Sequence, residues 1–483
     1  MSGSGGPVLV LDAGTSALKA ALVDAEGRIA AAAEAGYGAE PAPYRQRPEA
    51  WWQAACTAVA GLGPVAPRAI ALTGTMENLV PVSAQGRAVA DAILYADSCG
   101  EAWLARHGPA LAAADAATVL GNAPEPLMSA FKALWLAEDA PDVLAAARWL
   151  LLSPKDFLIL RMTGRAVSDP TTATTSGLMA LATRRWSAPL LDLLGIEAQR
   201  LPALVAADTV VGTLGAAAAR SLGLAEGLPV HAGCGDAGAA TVGSGCVAPG
   251  DVSVHLGTTG WVARVVSDDT LGRPRPCYRL AHPRPGLVIE VLPLLSAGGA
   301  AAWARRVFGL EPAAAEQAAR EADRDAPDIL FLPYLNGERS PFLDLDVRGA
   351  FLGLDAAHGP GALYRAVLEG VALALRASLR ALCGDSVPSR VGLCGGGARS
   401  ALWAALIADC LDTPVHVAAE PETVTAVGAA VACGLVRAAD IGAGPPVRPR
   451  PDRQARTARL ARLYDEATAF ARASAGLLRG NGA

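Results

Sequence analysis

Two segments half a chain apart share one design, and a fold for this sequence has to accommodate both. Residues 8–23 (VLVLDAGTSALKAALV) place aliphatic runs on either side of a Gly-Thr-Ser turn, and residues 251–266 (DVSVHLGTTGWVARVV) repeat the pattern around Gly-Thr-Thr. Each reads as two strands joined by a hairpin. Repetition over about one domain length implies a duplicated domain. At 483 residues the chain is too long for one ordinary core and suits two domains of roughly 200 to 250 residues. The Gly- and Pro-rich stretch SGCVAPGD at 244–251 is the best boundary, giving residues 1–245 and 246–483.

Short aliphatic strands such as 69–73 alternate with Ala/Leu-rich helical stretches, the pattern of an α/β domain. The plainest helices are 51–62, 141–151 and 362–382. The Arg-rich segment 448–478 reads as a loop and an amphipathic helix with its charges on a solvated face. With 52% apolar and 18% charged residues the chain can bury large cores and is not disordered. A net charge of −5 gives no general attraction to nucleic acid. Nine cysteines without a CxxC pair read as reduced thiols, not as a disulfide frame or zinc site. The leader MSGSGGP lacks the features of a secretion signal, and no apolar run, 423–436 included, reaches bilayer-spanning length. A cytoplasmic protein acting on a small molecule is expected.

A phosphate chain needs several backbone N–H groups converging on it, and a Gly-Thr turn between strands supplies them without side chains in the way. Residues 12–16 (DAGTS) and 256–260 (LGTTG) both qualify, although either could be only a tight turn. No GxxxxGK[ST] motif is present, so ATP would not be bound through a P-loop. Residues 233–238 (GCGDAG) match GxGxxG, but a carboxylate inside a dinucleotide turn would repel the pyrophosphate. As a kinase site the same segment makes better sense: Asp236 on a Gly-flanked turn can approach a hydroxyl and accept its proton late in a loose transition state. Its bland alternative is a helix N-cap. Residues 395–400 (GGGARS) follow a strand and open a helix, which would let a flat ring lie against bare backbone. The three lysines, Lys19, Lys132 and Lys155, stand out among 41 basic residues and hint at positions that want a compact ammonium.

Taken in order, DAGTSALK (12–19), SAFKALWL (129–136), SPKDFLILRMTG (153–164), GCGDAGAA (233–240), LGTTG (256–260), FLPYLNGERSPF (331–342), RGAFLGLDAAH (348–358), RAVLEGVALALR (365–376) and GGGARSALW (395–403) resemble the successive motifs of the FGGY carbohydrate kinases, nearest the xylulokinase branch. The resemblance implies an α/β fold of two actin-like (ribonuclease H-like) domains with an interdomain active-site cleft holding ATP and Mg²⁺; family members are often homodimers. It further implies Asp236 as catalytic base and Asp12 as the magnesium residue. Gly14, Thr15 and Lys19 would shape one phosphate loop and Gly257, Thr258 and Thr259 the other, with Gly298, Gly396, Gly397 and Ser400 lining the nucleotide pocket. Met76, Glu77 and Tyr95 fall at substrate positions, and there the chain departs from the branch. Xylulokinases usually carry Met-His-Gly where this chain has Met76-Glu77-Asn78, Trp where it has Tyr95, and Asn or Gln where it has Ala237. Phosphorylation of a ketopentose such as D-xylulose is the reading these motifs favour. A kinase for another ketose or polyol, a catalytically silent sugar- and nucleotide-binding regulator, and a nicotinamide dehydrogenase are the alternatives.

Overall fold

A strand with no polar alternation can be stable only where both faces of its sheet are covered, and strand Val8–Ala13 (β1) is of this kind. The computed structural model describes residues 6–39, 42–271, 275–325, 327–384, 386–438 and 444–478, so most of the leader, residues 1–5, lies outside the described residues. Contacts divide the chain into two compact units. The first comprises Met1–Val247, Val266–Ile289 and Thr423–Gly442, the latter two segments lying beyond the boundary at residue 245. The second comprises Ala248–Val265, Glu290–Glu422 and Ala443–Ala483.

In the first unit β1 pairs antiparallel with Ala17–Val23 (β2), which pairs with the edge strand Ile29–Gly36 (β3). On its other side β1 runs parallel to Ala69–Gly74 (β4). Val210–Thr213 (β5) and Pro229–His231 (β6) extend the sheet in the order β5-β6-β4-β1-β2-β3, and the short strand Cys234–Gly235 (β7) lies parallel to β4. Because side chains alternate along a strand, Leu9 and Leu11 face a core with Trp51, Ala55, Phe157 and Leu158, whereas Val8 and Val10 face one with Ala239, Val242, Ala429 and Ala430. The helices covering this second face, Asp236–Gly243 and Val424–Ala432, meet backbone to backbone. A Cβ on Gly428 would sit 1.8 Å from the Ala239 carbonyl oxygen, and one on Gly243 would sit 2.0 Å from that of Val424.

The second sheet, most of it in the second unit, repeats the strand order. Asp251–Leu256 (β8) forms a hairpin with Gly260–Ser267 (β9), Leu287–Leu294 (β10) follows β9, and Arg390–Cys394 (β11) runs parallel to β8, with Val415–Val417 (β12) beyond it. The order β10-β9-β8-β11-β12 matches β3-β2-β1-β4-β6, the duplication expected from the paired hairpins. Helix Pro360–Cys383 packs closely here: a Cβ on Gly370 would lie 2.3 Å from the Phe331 carbonyl oxygen.

Two expectations from sequence are corrected. Residues 141–151 are not one helix: Pro141–Ala146 is helical, but Trp149–Leu151 is a strand paired antiparallel with Val80–Val82, so tertiary pairing overrides local helix preference. The C-terminal arginines are not simply a solvated face on helix Gln454–Leu478. Arg450 grips Asp409 at 2.6 Å and also binds Asp323, and Arg456 binds Glu369, to which Arg365 donates at 3.0 Å. Arg365, Glu369 and Asp409 are buried, and this network fastens the C-terminal segment to the unit. All nine cysteines are free thiols, as expected. Among the described residues no helix is long and apolar enough to cross a membrane.

The helix crossing generates a stability test. Gly428→Ala forces backbone apart and is expected to cost more than about 3 kcal/mol. Gly63→Ala, where φ is +74° but nothing lies within 4 Å, is expected to cost about 1 kcal/mol. Urea denaturation of both variants checks the ranking.

Candidate functional site

Parallel strands that end together present their following residues at one edge of a sheet, the place where open α/β sheets collect ligand-binding groups. Asp12 of β1 is in register with Thr73 of β4, and Thr73 with Cys234 of β7; Ala13 and Gly235 likewise flank Gly74. The next residues after these strands, Asp236 after β7 and the 75–78 turn after β4, therefore emerge beside Asp12.

Asp236 opens helix Asp236–Gly243, but Gly235 is the cap residue, and no side chain caps the helix. Its Oδ1 accepts the adjacent Ala237 N–H at 2.8 Å. Burial pushes its carboxyl up to about 7, with the nearby Asp12 charge adding to the effect. Burial also raises the Asp12 carboxyl, opposed by a hydrogen bond from the Thr425 hydroxyl and by the field of Lys19. Lys19 lies opposite Asp12 in the β1-β2 register and forms a 3.8 Å ion pair with Glu34. The GxGxxG glycines are accounted for by packing: Gly233 has φ +63°, and its Cβ would fall 1.7 Å from the Leu72 carbonyl oxygen, while Gly238's would meet Thr171 at 2.8 Å.

The 75–78 turn is fixed from several sides. Thr75 N–H donates to the Ala13 carbonyl at 3.0 Å, Ser153 donates to the Thr75 carbonyl at 2.8 Å, and Ser129 donates to that of Asn78 at 2.8 Å. Met76 is buried with its sulfur where a Cβ on Gly235 would be, 2.5 Å away. Glu77 has φ +63°, a left-handed conformation uncommon for a side-chain-bearing residue. The buried Lys132 Nζ donates to its carbonyl at 2.6 Å, and burial brings that ammonium down to about 8, against the opposing field of Glu77. Tyr95 is exposed, and its N–H donates to Asn78 Oδ1 at 3.0 Å.

Beneath the turn lies an ion cluster. Lys155 Nζ is 2.7 Å from Asp156 and 2.9 Å from Asp169, all three buried. Burial alone would depress the ammonium, but the two carboxylates outweigh it and hold it above its ordinary value. Asp169 also caps helix Pro170–Thr174 through Thr171 N–H and Thr172 N–H, and Thr172 Oγ1 lies close to Gly235. The sequence marked Lys132 and Lys155 by their rarity but gave neither a partner, and it marked Asn78 only as a departure from the branch pattern; Asp169 gave no signal.

The two Gly-Thr turns are braced through their carbonyl groups. Tyr37 hydroxyl donates to the Gly14 carbonyl at 3.1 Å and Gln46 Nε2 to that of Thr15 at 2.7 Å. In the second unit Gly298 N–H donates to the Gly257 carbonyl at 2.8 Å and Gly299 N–H to that of Thr258 at 2.8 Å. A Cβ on Gly298 would lie 2.5 Å from the Gly257 carbonyl oxygen. Thr15, Thr258 and Thr259 are exposed. The glycine turn after β11 is adjacent, since His255 is in register with Cys394 and a Cβ on Gly395 would meet the Leu256 carbonyl oxygen at 2.6 Å. Gly396 has only Glu422 near its Cβ position, whereas Gly397 is pressed against Leu256 and Trp403. Ser400 caps helix Ala401–Leu411 by accepting from Trp403 N–H and donates to Glu316 at 2.8 Å.

Among the described residues no group of three or more metal-ligating side chains occurs. A hydrated Mg²⁺ keeps several waters and takes one or two carboxylates plus substrate phosphates, a demand that a lone carboxylate such as Asp12 fits.

Residues 7–243 match the profile described as the FGGY family of carbohydrate kinases, N-terminal domain, and residues 237–436 match that of the C-terminal domain. The chain is 34% identical to a xylulose kinase of Escherichia coli K12 over 90% of each chain. It is 25% identical to a gluconokinase of Bacillus licheniformis, covering 85% of this chain and 84% of the other. A crystal structure of xylulose kinase from Rhodospirillum rubrum superposes with a TM-score of 0.84 at 28% identity, covering 96% of this chain and 98% of that one. The mixed α/β chain with two sheet-containing units has the two-domain actin-like fold.

The raised Asp236 carboxyl sets a pH dependence. A carboxyl whose folded value lies near 7 rather than 3.8 stabilises the fold at low pH and loses that contribution as pH rises from about 4 through 7. Asp236→Asn removes the ionisation, so its melting-temperature gain over wild type is expected to grow across that window and level off above pH 7. A gain independent of pH would contradict this electrostatic account.

Proposed function

The chain belongs to the FGGY family of carbohydrate kinases and is an ATP-dependent sugar phosphotransferase, and on that premise we propose that its acceptor is a ketopentose of the D-xylulose type. The observation that carries the mechanistic part is the register placing Asp236 beside Asp12 at one end of three parallel strands. In the proposed reaction the ionised Asp236 takes the proton of the sugar hydroxyl as that oxygen bonds to the γ-phosphorus, and the β,γ-bridging oxygen leaves with ADP. The transition state is loose, so the carboxylate serves chiefly to orient the hydroxyl and accept its proton late. Lys155, Asp156 and Asp169 fix the backbone from which Asp236 acts. The turns at 14–15 and 257–259 are assigned to the phosphates, with their carbonyl groups already occupied and their tips exposed. Lys19 contributes positive charge beside the first turn. Gly298 supports the second turn, and Gly396, Gly397 and Ser400 shape the nucleotide side. Asp12 would hold magnesium, which when bound neutralises charge on the phosphate oxygens. A kinase drawing on ATP in this way is assigned to the cytoplasm.

Met76, Glu77 and Tyr95 are assigned to the sugar. Relatives named xylulose kinase support the ketopentose. The carboxylate at 77 favours a second reading, another ketose or a polyol whose hydroxyl donates to it, over an aldonate, whose own carboxylate it would repel. Coupled ADP-release measurements over ketoses, alditols and gluconate are expected to show the highest kcat/KM with D-xylulose or a close relative. Asp236→Ala is expected to lower kcat by about 10² to 10⁴. No sugar-dependent turnover on the panel, with ATP binding intact, would instead mark a binding protein. Glu77→His is expected to shift the ranking toward D-xylulose; an unchanged order would remove Glu77 from the sugar contacts.

A further inference from the structure

Glu338 belongs to neither the proton transfer nor the sugar contacts, yet its carboxyl is fully buried in the second unit. One oxygen, Oε1, accepts two backbone N–H groups, from Arg339 at 2.8 Å and from Leu295 at 3.0 Å. The other, Oε2, is buried without a hydrogen-bond partner among the described residues, as is Ser296 Oγ, one residue beyond Leu295. A buried carboxyl with an unsatisfied oxygen is costly and calls for a reason to be there.

The loop that carries Glu338 is rigid. Its backbone exchanges hydrogen bonds with Asp344 at 2.8 and 2.9 Å, and Asp344 Oδ1 accepts from Val347 N–H. Gly337 at φ +77° lies against Leu345, and Tyr334 bonds Tyr464 of the C-terminal helix at 2.7 Å. From this anchor the carboxylate reaches the turn between β10 and helix Gly298–Phe308. Three consecutive amides of that turn, those of Ala297, Gly298 and Gly299, donate to the carbonyl groups of Gly257 and Thr258 at 3.2, 2.8 and 2.8 Å. A chain of hydrogen bonds thus runs from Glu338 through residues 295–299 to the 257–259 turn.

We propose that Glu338 is a positioning residue for the nucleotide phosphates, holding the 295–299 turn so that its amides fix the 257–259 turn. The inference rests on the reading of 257–259 as a phosphate cradle. It predicts a selective effect on the nucleotide, since misplacing binding groups by about 1 Å can cost about 10²-fold.

The test compares wild type, Glu338→Gln, Glu338→Asp, Glu338→Ala and Gly298→Ala by ADP calorimetry and by KM for ATP and for the best sugar of the panel. Glu338→Ala is expected to raise the ATP KM and the ADP Kd by about 10- to 100-fold while the sugar KM stays within about twofold. Glu338→Gln keeps the accepting oxygen and is expected to restore wild-type values within about threefold. Should Glu338→Ala not fold, Glu338→Asp keeps the charge but draws the acceptor back by one methylene and is expected to show the same selective loss, of about fivefold. ADP affinity unchanged in folded Glu338→Ala or Glu338→Asp, or an equal loss for both substrates, overturns the inference. If Gly298→Ala also leaves ADP affinity untouched, the cradle reading has failed and the inference falls with it.

Discussion

The parallel seam between Val8–Ala13 and Ala69–Gly74 is the constraint on which the first unit depends. It is buried on both faces, with Leu9, Val10, Leu11, Ile70, Ala71 and Leu72 all inaccessible to solvent, and burial of this kind contributes on the order of 2 kcal/mol for each large aliphatic side chain. A slip of one residue would exchange the two faces and move Asp12 away from Thr73. The short strand Cys234–Gly235 can join only because Gly233 brings its backbone against Leu72 without a Cβ. Packing thus determines where the Asp236 carboxyl stands.

The same seam explains why two acidic groups are kept close together. Asp12 and Asp236 each resist ionisation through burial, and the charge of Asp12 makes that of Asp236 more costly still. Such a pair costs stability, and in the proposed reaction it would receive a cation and accept a proton. Beneath it, Lys155 with Asp156 and Asp169 provides a fully paired set of charges that cannot rearrange without leaving one of them buried alone. Gly235, the residue before Asp236, lies against Met76 and against the Thr172 hydroxyl, which donates to Asp169.

Much of this was legible in the sequence. The hairpins at 8–23 and 251–266 announced themselves because a Gly-Thr turn between aliphatic runs has few other solutions, and their repetition foretold the matching strand orders. Asp236 could be singled out because a carboxylate in a GxGxxG turn makes little sense for a dinucleotide. What could not be read was set by partners distant in sequence. Trp149–Leu151 pairs with Val80–Val82, Lys132 reaches the Glu77 carbonyl, and Arg450 and Arg456 close over buried acids. The left-handed conformation of Glu77 and the role of Gly428 in the helix crossing likewise depend on contacts that no local pattern encodes.

The scarcity of lysine has a practical side. Lys132 and Lys155 are sealed inside the first unit, whereas the Lys19 side chain is 44% exposed and stands opposite Asp12. Acylating reagents, cross-linkers or amine-coupled surfaces that seek lysine in the folded chain therefore converge on a single side chain at the edge of the proposed phosphate turn. For this protein a lysine-directed tag falls beside the turn to which the phosphates are assigned.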